Sequence, residues 1–306
     1  MIVLRSLNGL KGVKNPILTL GNFDGIHLGH RRIISRVVAK AKKEGVPSVV
    51  YTFEPHPLKV VAPHNSPPLI LDMEDKTGLI KEIGIDYLVL AEFTKEFAAT
   101  HPRRFVEDVL INGFKVKEVW VGHDFSFGRG RAGTVEYLKE LGEELGFKVH
   151  VMPAYKKGGR IISSSLIREL VKMGEVRKAA SLLGKDYRIK GRVVKGVSVG
   201  REIGFPTANL NVTSELVPKN GVYAAYATVE GVRRMAVLNI GTAPTFGGRE
   251  STVEVHILDF NGDIYGRKMA VSFVRRLRDE KTFKTKAALI SRIRKDAERA
   301  REILKD

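Results

Sequence analysis

The stretch Gly21-Asn22-Phe23-Asp24-Gly25-Ile26-His27-Leu28-Gly29-His30 follows the apolar run Ile17–Leu20 and leads into Arg31-Arg32-Ile33-Ile34-Ser35-Arg36-Val37-Val38-Ala39-Lys40. The run before it reads as a buried strand, and the apolar residues after it recur at helical spacing. Glycines and two histidines therefore sit at a strand-to-helix turn. His27 and His30 are one helical turn apart, so both rings face the same point. That point lies beside the N-terminus of the helix, where unpaired amides and the macrodipole favour an anion. Gly25 and Gly29 let the backbone come close to what binds there. Taken alone, a His-x-x-His pair is more often a helix cap beside a surface residue. The strand before it, the helix after it and the glycines between shift the reading to the phosphates of a nucleotide.

The length of 306 residues suggests about two domains of roughly 150 residues each. Hydrophobic content of 43% and charged content of 28% are ordinary for a globular protein. Cysteine is absent, which excludes disulfides, thiolate nucleophiles and cysteine–zinc sites. No apolar run approaches the ~18 residues of a membrane span, and the N-terminus shows no signal-peptide pattern. A cytoplasmic enzyme with no membrane role is expected. The net charge is +18, from 52 Lys and Arg against 34 Asp and Glu, and residues 267–306 carry fourteen basic against six acidic. That balance suits nucleic acid or anionic small molecules. Aromatics are not interleaved with the charges as on a single-strand platform, so nucleic acid is not expected as the main partner.

Up to about Ala154, strands at 17–21, 48–53, 87–91, 118–121 and 148–152 alternate with helices at 30–44, 75–83, 102–112 and 135–145. This order predicts βαβ units and a parallel sheet, with ligands at the carboxyl ends of its strands. His27 and His30 fall at such an end, and three more segments do too. Thr52-Phe53-Glu54-Pro55-His56-Pro57 leaves the second strand, its path fixed by prolines. Gly122-His123-Asp124-Phe125-Ser126-Phe127-Gly128-Arg129-Gly130-Arg131 leaves the fourth, with arginines for phosphate and phenylalanines for a flat ring. Ile162-Ser163-Ser164-Ser165-Leu166-Ile167-Arg168 opens a helix, with serines as N-caps. Each alone is an ordinary loop or cap; together they are expected to encircle one pocket.

The second half changes character. Residues 174–186 read as a short helix and a joint, with Gly184 as the helix stop. Strands at 188–195, 208–212, 222–229, 234–240, 252–259 and 270–276, without helices between them, predict a closed antiparallel barrel. A helix at 285–304 follows, with Ile290, Ile293, Ala297, Ala300 and Leu304 on one stripe. Glycines at 196, 200 and 204 suggest a flap whose amides cover phosphate, without the trailing Gly-Lys-Ser/Thr of a P-loop. Thr207 and Asn209, two apart in a strand, point to one face and offer hard oxygens to magnesium. Glu254 faces away from Val253, Val255 and Ile257.

The opening stretch resembles the His-x-Gly-His signature of the nucleotidyltransferases, which transfer a nucleoside monophosphate from a nucleoside triphosphate. With the segments at 52–57, 122–128 and 162–168, in this order, it resembles the bacterial bifunctional FAD synthetases. Gly-Phe-Pro-Thr-Ala-Asn at 204–209 resembles the flavokinase signature. Residues 239–247 resemble that family's next glycine-rich loop, 253–257 the strand bearing its catalytic base, and 278–283 its flavin-side loop. The resemblance covers nearly the whole chain. It implies an FMN adenylyltransferase domain over 1–184, Rossmann-like with a parallel sheet, and a riboflavin kinase domain over 185–306, a six-stranded antiparallel barrel with a terminal helix. Riboflavin would be phosphorylated by ATP to FMN, and FMN would then take AMP from a second ATP to give FAD and pyrophosphate.

The same resemblance implies the site residues. His27 and His30 meet the triphosphate, with Gly21, Asn22, Phe23, Asp24, Gly25, Gly29, Ser163, Ser164 and Arg168 around ATP. Asp124, Phe125, Phe127, Arg278 and Phe283 meet flavin. Gly196, Gly200 and Gly204 cover the ATP of the kinase, Thr207 and Asn209 hold Mg2+, and Glu254 is the base. Two departures stand out: Ser165-Leu166 where the family often has Thr-Arg, and Ser126 where it often has Arg. They leave Arg168, Arg129 and Arg131 as the basic contacts. The rival readings are a chain with only one live site, and a basic nucleic-acid-binding protein on a nucleotide-binding scaffold.

Overall fold

A computed structural model describes residues 1–10, 13–195, 204–245 and 248–305. The chain forms two compact units, Met1–Pro67 with Leu71–Ser163, and Pro68–Ile70 with Ser164–Asp306.

The first unit is a six-stranded parallel sheet built from β1 (Ile2–Leu4), β2 (Ile17–Leu20), β3 (Ser48–Glu54), β4 (Tyr87–Glu92), β5 (Glu118–Gly122) and β6 (Lys148–Met152), in the order β1-β4-β3-β2-β5-β6. The strands expected from the sequence are present, and β1 adds an edge. β1 is three residues long with Ile2 and Val3 exposed, too short to show an alternation. Helices α1 (Leu28–Glu44), α2 (Pro57–Val61), α3 (Met73–Ile83), α4 (Lys95–Ala98), α5 (Pro102–Phe105) and α6 (Val135–Leu145) lie between the strands. The helix expected at 102–112 is α5 followed by a π-helical segment, Val106–Gly113. The strands bury apolar side chains on both faces, as parallel sheets do: all four residues of β2 are buried. α1 begins at the His27 cap and ends at Gly45, whose φ of 64° and N–H to the Ala41 carbonyl form a left-handed stop.

The strand order reverses between β2 and β5. From β2 the chain moves outward through β3 and β4; from β5 it moves the other way to β6. Such a reversal opens a crevice at the carboxyl ends of the two strands. The loop holding His27 leaves β2 there, and the loop holding Asp124 leaves β5 beside it.

In the second unit, α7 (Ser164–Lys172) and α8 (Val176–Leu183) precede a closed barrel of β9 (Tyr187–Val194), β10 (Ala208–Val212), β11 (Gly221–Val229), β12 (Val232–Thr245), β13 (Gly248–Ile257) and β14 (Lys268–Arg278). Its pairings are antiparallel, in the order β10-β13-β12-β11-β14-β9. Alternate residues fill the interior: Tyr187, Ile189 and Val193 from β9 meet Met269, Val271 and Phe273 from β14. Gly191 is required in β9, because a Cβ there would run into the Asn211 carbonyl. The terminal helix α9 (Lys286–Lys305) covers the outside of the barrel, packing Ala297, Ala300 and Leu304 on Val222, Ala224 and Val237. Fully burying one leucine such as Leu304 is worth about 1.5–3 kcal/mol. α8 packs Val176, Ala179, Leu182 and Leu183 inward, stops at Gly184 with φ 73° and lies against β9 and β14.

Candidate active sites

The loop from β2 to α1 is bent hard. Phe23 (φ 47°) and Ile26 (φ 41°) take left-handed backbone conformations around Gly25 (φ 89°). For a β-branched residue such as Ile26 this is strain, typically about 1–3 kcal/mol per residue. Complete burial of the Ile26 side chain helps to offset it. The bend places His27 at the N-cap of α1, where its Nδ1 accepts the His30 amide at 3.2 Å. The two imidazoles stack, centroids 3.5 Å apart, and Phe23 meets His30 edge-on at 5.2 Å. Burial pulls the His27 pKa down to about 4. Burial, then His27, then the Lys76 ammonium push His30 well below the ordinary histidine value. Both rings are therefore uncharged at neutral pH. With Nδ1 of His27 accepting, its proton sits on Nε2 as a donor. His30 Nδ1 is buried and meets no hydrogen-bond partner among the described residues.

Neighbouring elements complete this site. Asp24 is buried and accepts the Leu71 amide at 3.3 Å. Asp124, beyond β5, raises the pKa of His27 by its charge, so the β5 loop faces the histidines. From α3, Lys76 enters buried and donates to the Asn22 carbonyl at 2.6 Å and to Thr52 Oγ1 at 2.8 Å. Phe125 and Phe127 stack at 5.6 Å. Phe127 is buried against Phe105, while Phe125 is half-buried and so is the one with a ring left to present. Ser126 Oγ accepts from Arg131 Nε at 2.7 Å, so the serine in the place of an arginine anchors one. Ser163 closes the first unit. Ser164 and Arg168 belong to α7 of the second, where Arg168 is buried and donates from Nε to the Pro68 carbonyl at 2.8 Å.

In the barrel, register does what sequence distance hides. Asn209 of β10 lies opposite Glu254 of β13, and Glu254 lies opposite Asn239 of β12. Directly opposed residues share a face, about 4.5–5.5 Å apart at Cβ. Asn209, Glu254 and Asn239 thus form one row on the outer face, while Val253, Val255 and Ile257 fill the interior. Thr207 stands just before β10. Its approach is fixed by His256, whose Nδ1 lies 2.8 Å from the Pro206 carbonyl and whose ring meets Phe205 edge-on. The Glu280 carboxylate lies against Gly241, two residues beyond Asn239, in the space that a Cβ there would take. Arg278 is held by the buried Asp296 of α9 at 2.8 Å, and its guanidinium lies 5.9 Å from the Phe283 ring centroid. A cleft of about 320 Å³ opens between the α7–α8 turn and residues 275–278 of β14. Gly204 has φ 80°; Gly196 and Gly200 lie outside the described residues.

The model of the FAD synthetase family matches residues 11–166, and that of the riboflavin kinase family matches 183–304. The bifunctional riboflavin kinase/FMN adenylyltransferase of Escherichia coli (strain K12) is 38% identical over 305 residues, spanning 99% of this chain and 97% of its own. The chain belongs to the bifunctional riboflavin kinase/FMN adenylyltransferases. The enzyme of the same description from Haemophilus influenzae is 35% identical over 98% of both chains. A solved structure described as a macrolide-efflux protein from Streptococcus pneumoniae superposes with a TM-score of 0.88 and 31% identity, over 98% of both chains. Among the described residues here, no helix is long and apolar enough to cross a membrane.

The buried charged side chain at this loop that sequence reasoning passed over is Lys76. Its signal was its place: Lys76, Leu79 and Ile80 fall on one helical face, and all three are buried. A lysine at an apolar position of an amphipathic helix is the pattern to look for.

Proposed function

We propose that the chain makes FAD from riboflavin by two transfers at phosphorus, one on each unit. In the barrel, the ribityl 5′-hydroxyl of riboflavin attacks the γ-phosphorus of ATP. Its proton passes to the Glu254 carboxylate, and ADP leaves with FMN as the product. On the parallel sheet, a phosphate oxygen of FMN attacks the α-phosphorus of a second ATP, and pyrophosphate leaves without a covalent enzyme intermediate. His27 Nε2–H and the α1 amides donate to phosphate oxygens as charge moves onto the leaving group. The loop from Gly21 to Gly25, with Gly29, leaves room for the triphosphate. Phe125, backed by Phe127, offers its ring to the isoalloxazine, with Asp124 beside it. In the barrel unit, Arg278 and Phe283 shape the flavin-side loop. The resemblance, rather than geometry, carries Ser163, Ser164, Arg168, Gly196, Gly200 and Gly204 as ATP contacts. A cytoplasmic location belongs to the same proposal, because ATP is the donor in both steps.

The observation that carries this reading is the stacked, uncharged histidine pair at a helix N-terminus, placed where the strand order of the sheet reverses. Supplying FMN and ATP to the purified chain tests it. FAD and pyrophosphate are expected in equal amounts; an absence of FAD would remove the first unit from the pathway.

The kinase row fits magnesium. Asn209 brings an amide oxygen into line with the Glu254 carboxylate, and Thr207 adds a hydroxyl at the start of the strand: hard oxygens throughout. Bound there, magnesium would draw negative charge from the ATP phosphates. Chelation should therefore abolish riboflavin phosphorylation, and magnesium or manganese should restore it. Stoichiometric zinc that tracks activity would contradict this assignment.

Ser126→Arg adds a basic side chain to the β5 loop. It is expected to lower the ATP KM of adenylylation about two- to fivefold, the range of a partly exposed ion pair. An unchanged KM would mean that Arg129 and Arg131 already fill the role.

A further inference from the structure

The adenylyl-transfer site holds a buried cation that the steps above do not use. Lys76 reaches in from α3, is 7% exposed, and spans two elements of the site: the Asn22 carbonyl in the loop after β2, at 2.6 Å, and Thr52 Oγ1 near the end of β3, at 2.8 Å. Thr52 Oγ1 itself donates to the same Asn22 carbonyl at 3.3 Å, so the three groups close a small ring. Asn22 precedes Phe23, Gly25 and Ile26, whose backbones all take left-handed conformations, and that bend sets where His27 caps α1. A strained loop keeps its shape only when its surroundings hold it. A buried ammonium also costs more than an apolar side chain unless its charge is used.

We propose that Lys76 is a positioning residue of the adenylyl-transfer site, fixing the histidine loop through the Asn22 carbonyl and supplying the fixed positive charge that the ATP phosphates meet. The two histidines are uncharged and so bring donors without a net cation. The groups facing Lys76 are Asp24 from the loop and Glu54 from the end of β3, both of which favour its charged form, and His30 from α1, which feels its field. Glu54 is itself paired with Arg5 at 3.1 Å. Burial lowers Lys76 to about 8 against these carboxylates. The ammonium is therefore present below about pH 8 and is lost as pH rises through that value. His27, already neutral above about 4, does not change there.

The test is the pH profile of FMN adenylylation between pH 6 and 9.5, measured as kcat/KM for ATP, with circular dichroism of the same preparations as the folding control. In the parent chain the value should fall tenfold per unit above about pH 8. Lys76→Gln keeps donors but no charge; it should lower the pH 7 value ten- to a hundredfold, raise the ATP KM and flatten the alkaline limb. Thr52→Val keeps the shape but removes one acceptor of the ammonium, so its limb should move to lower pH. A Lys76→Gln variant with the parent's limb overturns the inference, as does a Thr52→Val limb that does not move. Should Lys76→Gln fail to fold, the Thr52→Val limb decides alone. The inference rests on the adenylyltransferase reading, and the two fail differently: a parent that makes no FAD sinks that reading, whereas an active parent with an unmoved limb sinks only the role of Lys76.

Discussion

Replacing His27 and His30 together by alanine is expected to stop FAD formation while FMN still accumulates from riboflavin. The pair sits at the N-terminus of α1 with stacked rings, where the His27 Nε2–H is free of the cap that its Nδ1 makes. Removing one donor aimed at developing charge typically costs about 10²–10³ in turnover, so loss of the pair should be conspicuous. His27→Ala also removes a helix cap, worth typically about 1 kcal/mol. A His27→Asn change keeps a capping side chain without the imidazole, and it should lose FAD formation as well. If FAD appears at the parent rate in the folded double variant, the sheet unit does not use these histidines.

The second large effect is expected in the barrel. Glu254→Gln preserves size and removes the base, so riboflavin phosphorylation should fall by about 10²–10⁴, the usual share of general base catalysis. The same variant should still turn supplied FMN and ATP into FAD. Glu254 stands between Asn209 and Asn239 on the barrel's outer face, and an amide in its place has the same size and stays polar among these polar neighbours. Structural damage therefore predicts little loss, and only the missing base predicts a block. FMN production at the parent rate would mean that another group takes the proton.

What could be read from the sequence was what is local. The His27–His30 spacing, the glycines around it and the strand and helix on either side lie within one short stretch, and the site at the end of β2 follows from them. The barrel announced itself through repeated short alternating strands. The row Asn209–Glu254–Asn239 could not be read as geometry, because it depends on the pairing of β10, β12 and β13. Only the family resemblance joined Glu254 to Thr207 and Asn209. Lys76 was missed because lysine in a helix is ordinarily solvated, and its burial is decided by the sheet beneath it. Phe127 reads like a ligand contact from its motif, yet packing on Phe105 makes it the backing of Phe125. The resemblance puts α7 and α8 in the first domain, which ends at 184, with residues 174–186 read as a short helix and a joint. In the structure they count with the barrel, because the apolar stripe of α8 lies on β9 and β14.

The most direct test of the two-site account is a time course of the purified chain with riboflavin, magnesium and ATP, resolving flavins and nucleotides together. The account predicts that FMN appears first and FAD follows, with one ADP released for each FMN formed and one pyrophosphate for each FAD made. Failure to phosphorylate riboflavin, or FMN that is never carried on to FAD while ATP remains, would contradict it.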